Sequence, residues 1–453
     1  MLSKVTTAGI AAGSPDEFII RSAYVMSMDS AIGDIVSGDV HVRGDTVVAV
    51  APNLPSDGLR TIDGSGMILM PGLIDAHTHF WTSQMRGHFA CSPDKIYFAT
   101  RNRLANGYRP QDMYEGTLLG ATEAIYSGIT TAYDFCHNNR GPDFAEANIR
   151  ALKDSGIRAC FQFGASTLSK PTEPVDLDNL ETLAVRWSEI VGGAPLTLGL
   201  AWRGPLGIVT IVDDQPKPDW DVARSELDVA RRHSLPISIH VSGVTAERQF
   251  AALVEQRVLG PDIQIVHMTD ARPDQLAEVK QSGASVVLTP LTELRVGYGV
   301  TQVGDYLDAG VRLGIGIDSN SLAGTANLFS VMKLFQLIEA GRKKNELAIS
   351  ARTLLSLATI DGARSLGLDG IVGSITPGKK ADMILINPVA WNMGLFCADP
   401  ANLIVEAAAP ENVDTVIVNG RILKSGGRLT HFDPEDVIGA ARASASGVMQ
   451  RVA

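Results

Sequence analysis

The chain contains little cysteine and no apolar segment of membrane-spanning length. Its four cysteines are far apart and include no CxxC pair; they are Cys91, Cys136, Cys160 and Cys397. This spacing argues against a disulfide framework and against a cysteine zinc site, and it fits a reducing, cytoplasmic environment. No stretch approaches the ~20 apolar residues that a transmembrane helix needs, so we expect no membrane partner.

Secretion signals and an excess of basic charge are also lacking. Residues 1–16 include one lysine but no continuous apolar core, so we predict a disordered lead rather than a signal peptide. Lys and Arg number 39 against 50 Asp and Glu, which gives a formal net charge of −11. An acidic surface repels phosphate backbones, which argues against nucleic acid as the main partner.

The chain does contain a series of apolar runs of the buried type, each followed by a stretch long enough for a helix. The clearest helical stretch, 110–128, has apolar residues at roughly helical spacing and ends at a glycine. Eight such units over about 300 residues predict a (β/α)8 TIM-type barrel, which typically needs about 250. The eight runs lie at 68–75, 129–135, 157–163, 196–202, 235–241, 263–267, 284–289 and 311–318.

A doubly wound open sheet is the competing fold, and the position of the polar residues discriminates between the two. Short strands punctuated by Gly-Asp turns precede the barrel region, and the same pattern returns after it. No internal repeat or low-complexity linker separates these parts. We therefore predict a barrel at 71–375, a small β-sandwich domain built from both chain ends at 17–70 plus 376–430, and a C-terminal helix or tail at 431–453.

Five polar residues end apolar runs in an order that matches the first, fifth, sixth and eighth barrel strands. In PGLIDAHTHF, His77 and His79 are two residues apart, so strand geometry places both side chains on one face. His240, His267 and Asp318 end three further runs. Each of them alone is equally consistent with a core, turn or cap residue. Together they predict a metal site at the barrel mouth.

These residues also carry a resemblance to the amidohydrolase superfamily, in the branch of atrazine chlorohydrolase, guanine deaminase and S-adenosylhomocysteine deaminase. The resemblance covers nearly the whole chain. The first motif includes Arg86, seven residues after the second histidine. The segments that resemble the branch are PGLIDAHTHFWTSQMRG, YEGTLLGATEAIYSGITTAYDF and LLSLATIDGARSLGLDGIVGSITPGKKADMILIN.

By position, the resemblance implies a catalytic role for His267 next to the metal and a mononuclear site. Two-metal members hold a carboxylated lysine at the end of the fourth strand, whereas this strand ends in Trp202 and Arg203. Zinc is the first choice for such ligands, with iron, cobalt, nickel and manganese as alternatives. Relatives are often homodimers or larger homo-oligomers, which we also expect here. The implied metal ligands are His77, His79, His240 and Asp318.

The sequence departs from the branch in two places. Deaminases of this branch have a glutamate three residues after the fifth-strand histidine, where this chain has Gly243. After the seventh strand, TPLTELRVGYG supplies Glu293, which is either a replacement proton donor or cation-binding group, or a capping carboxylate paired with Arg295. A subset of the superfamily is similar in both places and acts on amide-, urea- or carbamate-like bonds.

The sequence therefore predicts a hydrolase that cleaves a non-peptide C–N bond of a small molecule with a metal-activated water. Asp318 serves as base and then acid, while His267 polarises the substrate oxygen. The rival function is deamination or dechlorination of a guanine-, cytosine- or triazine-type heterocycle. A non-enzymatic scaffold fits poorly with a complete ligand set. The predicted substrate-binding residues, each with a structural alternative, are Trp81, Arg86, His137 and Trp202.

Overall fold

The computed structural model describes most of the chain. The predicted disordered lead lies outside the described residues, as do Cys91 and Cys397, whereas Cys136 and Cys160 are buried free thiols. Within the described part, the helices are too short or too polar to cross a membrane. The described ranges are 17–90, 92–170, 172–207, 217–394 and 399–453.

The strands form two separate sheets, and the second sheet interrupts the first along the chain. Strands β1 to β5 and β14 to β17 belong to a mixed sheet, and β6 to β13 belong to a parallel sheet. In chain order the strands are β1 (Glu17–Met26), β2 (Asp34–Arg43), β3 (Thr46–Ala51), β4 (Arg60–Asp63), β5 (Ile68–Pro71), β6 (Leu73–Thr78), β7 (Ile129–Asn139), β8 (Arg158–Ala165), β9 (Leu196–Trp202), β10 (Ile237–Val241), β11 (Ile263–His267), β12 (Ser285–Leu288), β13 (Arg312–Ile315), β14 (Met383–Ile386), β15 (Val413–Val418), β16 (Arg421–Ser425) and β17 (Arg428–Leu429).

Helices follow the strands of the parallel sheet and cover its outside. The predicted helix at 110–128 is confirmed, and its apolar face is buried. The helices are α1 (Tyr97–Asn106), α2 (Pro110–Tyr126), α3 (Pro142–Ser155), α4 (Leu177–Val191), α5 (Trp220–Arg232), α6 (Ala246–Glu255), α7 (Pro273–Ser282), α8 (Pro290–Val296), α9 (Val303–Ala309), α10 (Asn320–Ala323), α11 (Leu328–Lys343), α12 (Ala351–Leu357), α13 (Ile360–Ser365), α14 (Pro400–Ala407) and α15 (Pro434–Arg451).

The parallel sheet is the predicted (β/α)8 barrel. Its eight strands pair in chain order from β6 to β13, and a bridge between Thr78 and Asp318 joins the two end strands. Each predicted apolar run overlaps one of these strands. The first run, 68–75, also contains β5, because the chain crosses from the small sheet into the barrel at Gly72. A side chain there would collide with Thr130, so the crossing requires glycine.

The mixed sheet is assembled from both ends of the chain, as predicted. Strand β14 pairs antiparallel with β5, which places Ile384 opposite Met70, and β1 pairs in parallel with β4 and β5. Ile20, Leu69 and Met383 belong to its apolar core. This core lies on one face of the sheet, whereas the other face, with Met70 and Ile384, packs into the apolar cluster of the barrel.

A bidentate ion pair connects the barrel to the mixed sheet. Arg158, the first residue of β8, donates from Nε and Nη2 to the two carboxylate oxygens of Asp382, over 2.7 and 3.0 Å. Its Nη2 also donates to Asn419 over 2.9 Å. These contacts lie at the amino end of a barrel strand. They therefore stabilise the fold at the end of the barrel opposite to the polar strand ends.

A buried lysine in the mixed sheet predicts a pH-dependent stability. The ammonium group of Lys424 donates to the carbonyl oxygens of Tyr126 and Pro410, over 2.7 and 3.2 Å. Burial lowers its pKa from 10.5 to about 8. Between these values an unfolded Lys424 binds more protons than a folded one, so this residue contributes a rise in the free energy of unfolding as the pH increases across this window.

Urea unfolding of the protein at several pH values between 8 and 10.5 tests this prediction. The Lys424→Met variant should lose the rise, whereas Lys95→Met, which changes an exposed lysine, should keep it. An identical dependence on pH in the protein and in Lys424→Met would contradict the assignment.

Candidate active site

The carboxyl ends of three barrel strands bring three imidazoles and one carboxylate together. The Nε2 atom of His77 lies 3.2 Å from the Nε2 atoms of both His79 and His240. One carboxylate oxygen of Asp318 lies 2.9 Å from Nε2 of His79 and 3.4 Å from Nε2 of His77. The four donor atoms all lie within 4.8 Å of one another. The cluster thus collects ligands from β6, β10 and the end of β13.

The protonation of these imidazoles fits a metal ion at their centre. Nδ1 of His79 lies 2.7 Å from the carbonyl oxygen of Phe135, so it carries the proton and Nε2 presents a lone pair to the cluster. Burial lowers the pKa of His77 to about 3 and holds the pKa of His240 well below its usual value. Three neutral imidazoles and a carboxylate are a typical donor set for a single divalent ion such as zinc.

The carboxyl group of Asp318 is ionised despite its burial. Burial alone would raise its pKa, but the close contacts with the imidazoles of His77 and His79 outweigh burial and hold the pKa well below its usual value. Its backbone has a φ of 61°, and that of His267 has a φ of 73°. Left-handed conformations of this kind cost of order 1–3 kcal/mol and concentrate at functional sites.

His267 lies on the wall of the metal cavity, and Glu293 lies behind it. Nδ1 of His267 is 3.2 Å from a carboxylate oxygen of Glu293 and 3.1 Å from the hydroxyl of Thr289. That same oxygen accepts the backbone N–H of Thr289 over 2.8 Å, at the start of α8, and the other accepts the hydroxyl of Thr301. Glu293 is fully buried, so it orients His267 and caps the helix. Among the described ion pairs, none joins it to Arg295.

The four predicted substrate-binding residues lie in different places. His137 lines the metal cavity, and its ring centroid is 4.4 Å from that of His79. Trp81 is fully buried behind it and donates from Nε1 to Nδ1 of His137 over 3.1 Å. Trp202 is buried in the apolar core because it pairs with Ile239 on the face of the sheet opposite to His240, towards the helices. Arg86 forms a half-exposed ion pair with Glu123, so its charge is already partnered away from the cavity.

Several cavity residues are missing from the sequence predictions, and Arg101 and Tyr298 are the two with most chemical character. Arg101 is a basic residue within the helical segment YFATRNRLA, and its charge is the one feature of the local sequence that could have drawn attention to it. Nothing in the sequence around Tyr298 distinguishes that residue. A Cβ on Gly243 would lie 3.4 Å from the ring of Tyr298, so this ring stands beside the position of the absent glutamate. Burial raises the pKa of Tyr298 to about 12, so its hydroxyl keeps its proton.

A wider cleft adjoins the metal cavity. It has a volume of about 510 Å³ and shares Ser242, Val296 and Tyr298 with the cavity wall. A volume of this size suits a small-molecule ligand. The residues that the two spaces share therefore mark a path from the cleft to the metal ligands.

The cluster predicts one metal ion per chain. Purified protein loaded with zinc should contain one equivalent, and the His240→Asn variant should contain far less. Loss of a partner beyond the ligands already costs about 10- to 100-fold in affinity, so loss of a ligand should cost more. Elemental analysis after dialysis measures the content, with His431→Asn, an exposed histidine, as the matched control. Two equivalents at full occupancy would contradict a mononuclear site.

Comparisons with known proteins agree with this geometry. A 5'-deoxyadenosine deaminase from Methanosarcina mazei is 26% identical over 454 residues, which cover 96% of this chain and 99% of the relative. A 5-methylthioadenosine/S-adenosylhomocysteine deaminase from Carboxydothermus hydrogenoformans is 27% identical over 444 residues, which cover 92% and 95%.

Solved structures show the same fold. An adenosine deaminase from Xanthomonas campestris with bound zinc has a TM-score of 0.81 at 21% identity, with 96% of this chain and 99% of that chain covered. An atrazine chlorohydrolase from Arthrobacter aurescens complexed with zinc also has a TM-score of 0.81 at 21% identity, with 94% and 100% covered. Residues 68–423, most of the chain, match the amidohydrolase family. The protein therefore belongs to the amidohydrolase family and is a hydrolase that acts on C–N bonds other than peptide bonds.

Proposed function

We propose that the protein hydrolyses an acyl C–N bond of a small amide, urea, carbamate or cyclic amide. The observation that carries this proposal is the set of proton-transfer groups in the metal cavity. Among the described residues that line it, Asp318 supplies the one carboxylate. Gly243 stands where deaminases of the resembling branch have a second one, so the reaction has to proceed with a single carboxyl group.

His77, His79, His240 and Asp318 are the residues that would hold the ion, and the donor set favours zinc. When bound, a divalent ion supplies Lewis acidity and lowers the pKa of a water molecule from 15.7 towards ~7. The ionised carboxylate of Asp318 accepts a proton from the attacking water. The same group then donates this proton to the leaving nitrogen as the C–N bond breaks.

His267 donates a hydrogen bond to the oxygen of the substrate rather than a proton to its nitrogen. This role requires a proton on Nε2, on the side of the cavity, while Nδ1 faces Glu293. Attack on an acyl carbon places negative charge on the substrate oxygen, and a fixed donor at this position stabilises it. Glu293 and Thr289 act through His267, as positioning residues.

Acyl substrates suit these groups better than aromatic amines do. Attack on an aromatic ring carbon requires a proton on the neighbouring ring nitrogen, which a second acid normally delivers. Attack on an acyl carbon requires stabilisation of one oxyanion and one proton shuttle. His267 and Asp318 are placed for these two tasks.

Deamination of an adenosine-type nucleoside is the second candidate, and dechlorination of a triazine-type heterocycle belongs to the same class. The deamination candidate is favoured by the named deaminases that match this chain over nearly their whole length. In that reaction the hydroxyl of Tyr298, beside Gly243, would be the group nearest to the position of the absent glutamate.

We further propose that the protein works in the cytoplasm as a homodimer or larger homo-oligomer. The free, buried thiols of Cys136 and Cys160 support a reducing compartment. Fully exposed Trp391 and the largely exposed Val389 lie close together in the sequence, and they support an apolar contact surface. Light scattering of the purified protein would test the oligomeric state, with a monomer as the contradicting result.

Product analysis separates the two candidate reactions. Zinc-loaded protein is incubated with amides, ureas, carbamates and cyclic imides, and separately with 5'-deoxyadenosine, 5'-methylthioadenosine and S-adenosylhomocysteine, before mass spectrometry. We expect products of acyl C–N cleavage. Exchange of the exocyclic amino group for hydroxyl on the nucleosides, without cleavage in the first set, would overturn acyl hydrolysis in favour of deamination.

The positioning role of Glu293 predicts a separation of kcat from KM. Glu293→Gln should lower kcat by about 10- to 100-fold with little change in KM and one equivalent of zinc retained, because the amide holds His267 less well in the transition state. Glu339→Gln, which changes another fully buried carboxyl group, is the matched control and should leave kcat unchanged. A normal kcat in Glu293→Gln would remove Glu293 from the mechanism.

A further inference from the structure

Arg101 is a buried cation in the wall of the metal cavity. It lies on α1 and is 4% exposed. Its Nε and Nη2 donate to the side-chain oxygen of Asn102, and its guanidinium lies over the rings of Tyr97 and Phe98. Among the described residues, no carboxylate forms an ion pair with it. Buried charges are normally paired, so this guanidinium is suited to bind an anion.

His137, its neighbour in the cavity wall, has a hydrogen-bonding conflict. Trp81 donates to Nδ1 of His137 over 3.1 Å, and Nη1 of Arg101 lies 3.1 Å from Nε2. Indole and guanidinium groups donate and never accept. A neutral imidazole accepts at one nitrogen and a protonated one at neither, so at least one contact sets donor against donor. An acceptor atom placed between His137 and Arg101 would satisfy both.

We propose that Arg101 and His137 form a subsite for a carboxylate group of the substrate. The planar guanidinium fork matches the two oxygens of a carboxylate. Because Trp81 donates to Nδ1, a neutral His137 directs its Nε2 proton towards the same anion. The proposal rests on the proposed function in one respect, namely that the C–N bond is cleaved at the metal ligands.

The position of this subsite defines the substrate class. The ring of His137 packs directly on the ring of His79, one of the metal ligands. A carboxylate held there lies beside the reacting centre, so it is separated from the scissile C–N bond by a few bonds. The remainder of the molecule extends past Tyr298 into the wider cleft. The substrate is therefore a small carboxylic acid that carries an amide, urea, carbamate or cyclic amide group.

Direct binding tests the subsite without any turnover. Zinc-loaded, full-length protein is titrated calorimetrically with acetate, with acetamide as the neutral counterpart and with inorganic phosphate as a different anion. Acetate should bind more tightly than either, and Arg101→Met should weaken acetate binding by about 10- to 100-fold. Arg101→Lys, which keeps the charge without the fork, should fall between the two proteins.

The matched control is Arg103→Met on the same helix, where the arginine is exposed, and its affinity for acetate should not change. Zinc content is measured in every variant. Equal acetate affinity in the protein and in Arg101→Met would overturn the proposal, because acetate would then bind elsewhere, for instance at the metal. Tighter binding of phosphate than of acetate would overturn the assignment to a carboxylate.

Kinetics with matched substrates separates this inference from the proposed function. For a substrate that is hydrolysed, kcat/KM is compared between the carboxylic acid and its neutral amide. Arg101→Met should lower the ratio of kcat/KM for the acid to kcat/KM for the amide by about 10- to 100-fold. An unchanged ratio overturns the subsite and leaves acyl hydrolysis standing. Conversely, acetate binding that depends on Arg101, with no acyl hydrolysis in any panel, overturns the proposed function and leaves the subsite standing.

Discussion

Backbone hydrogen bonds between the first and last barrel strands hold the reactive centre together. The N–H of Asp318 donates to the carbonyl oxygen of His77 over 2.8 Å, and the N–H of His79 donates to the carbonyl oxygen of Asp318 over 3.0 Å. The hydroxyl of Thr78 reaches the same carbonyl across 240 residues of sequence. The peptide groups that close the barrel are thus those of the metal ligands. Distortion of the closure would therefore displace the ligands.

A buried polar layer supports this closure from below and from the side. Asp75, fully buried, accepts the N–H of Ile317 over 2.9 Å and so fixes the strand that leads to Asp318. Asp134 accepts the N–H of Phe80 over 2.9 Å and the amide of Asn148 over 2.8 Å. Such outer partners fix the orientation of metal ligands and carry part of the affinity. The metal ligands are therefore positioned mainly by strands, whereas the surrounding loops and short helices supply other groups that line the cavity.

Most of the fold was predictable because each buried strand of a barrel appears in the sequence as an apolar run. Each of the eight predicted runs overlaps a barrel strand, and the strand-end histidines meet because parallel strands end at one face. The crossing at Gly72 was not predictable, since two strands of different sheets share one apolar run. Trp202 reads as a mouth residue, but the strand turns its side chain into the core. The positions of Arg86 and Arg101 depend on the connection after β6. The sequence of this connection has no regular apolar pattern from which its path could be predicted.

Glu293 has contacts that the sequence alone does not give. Its pattern fits either a reacting group or a helix cap, and the contacts made by α8 place it behind His267. The missing fifth-strand glutamate is the opposite case, because the sequence itself shows its absence. It is plain in the sequence at Gly243, yet its consequence depends on Tyr298, which only the folded chain brings beside it. Specificity in this fold is therefore set by residues from several loops at once.

We conclude that one metal ion is held by three imidazoles and Asp318 at the closure of the barrel. X-ray diffraction from crystals of the zinc-loaded protein, collected on both sides of the zinc absorption edge, tests it most directly. The account predicts one anomalous peak, with His77, His79, His240 and Asp318 within bonding distance and His267 beside it. Two peaks of equal height, or a single peak away from these four side chains, would contradict it.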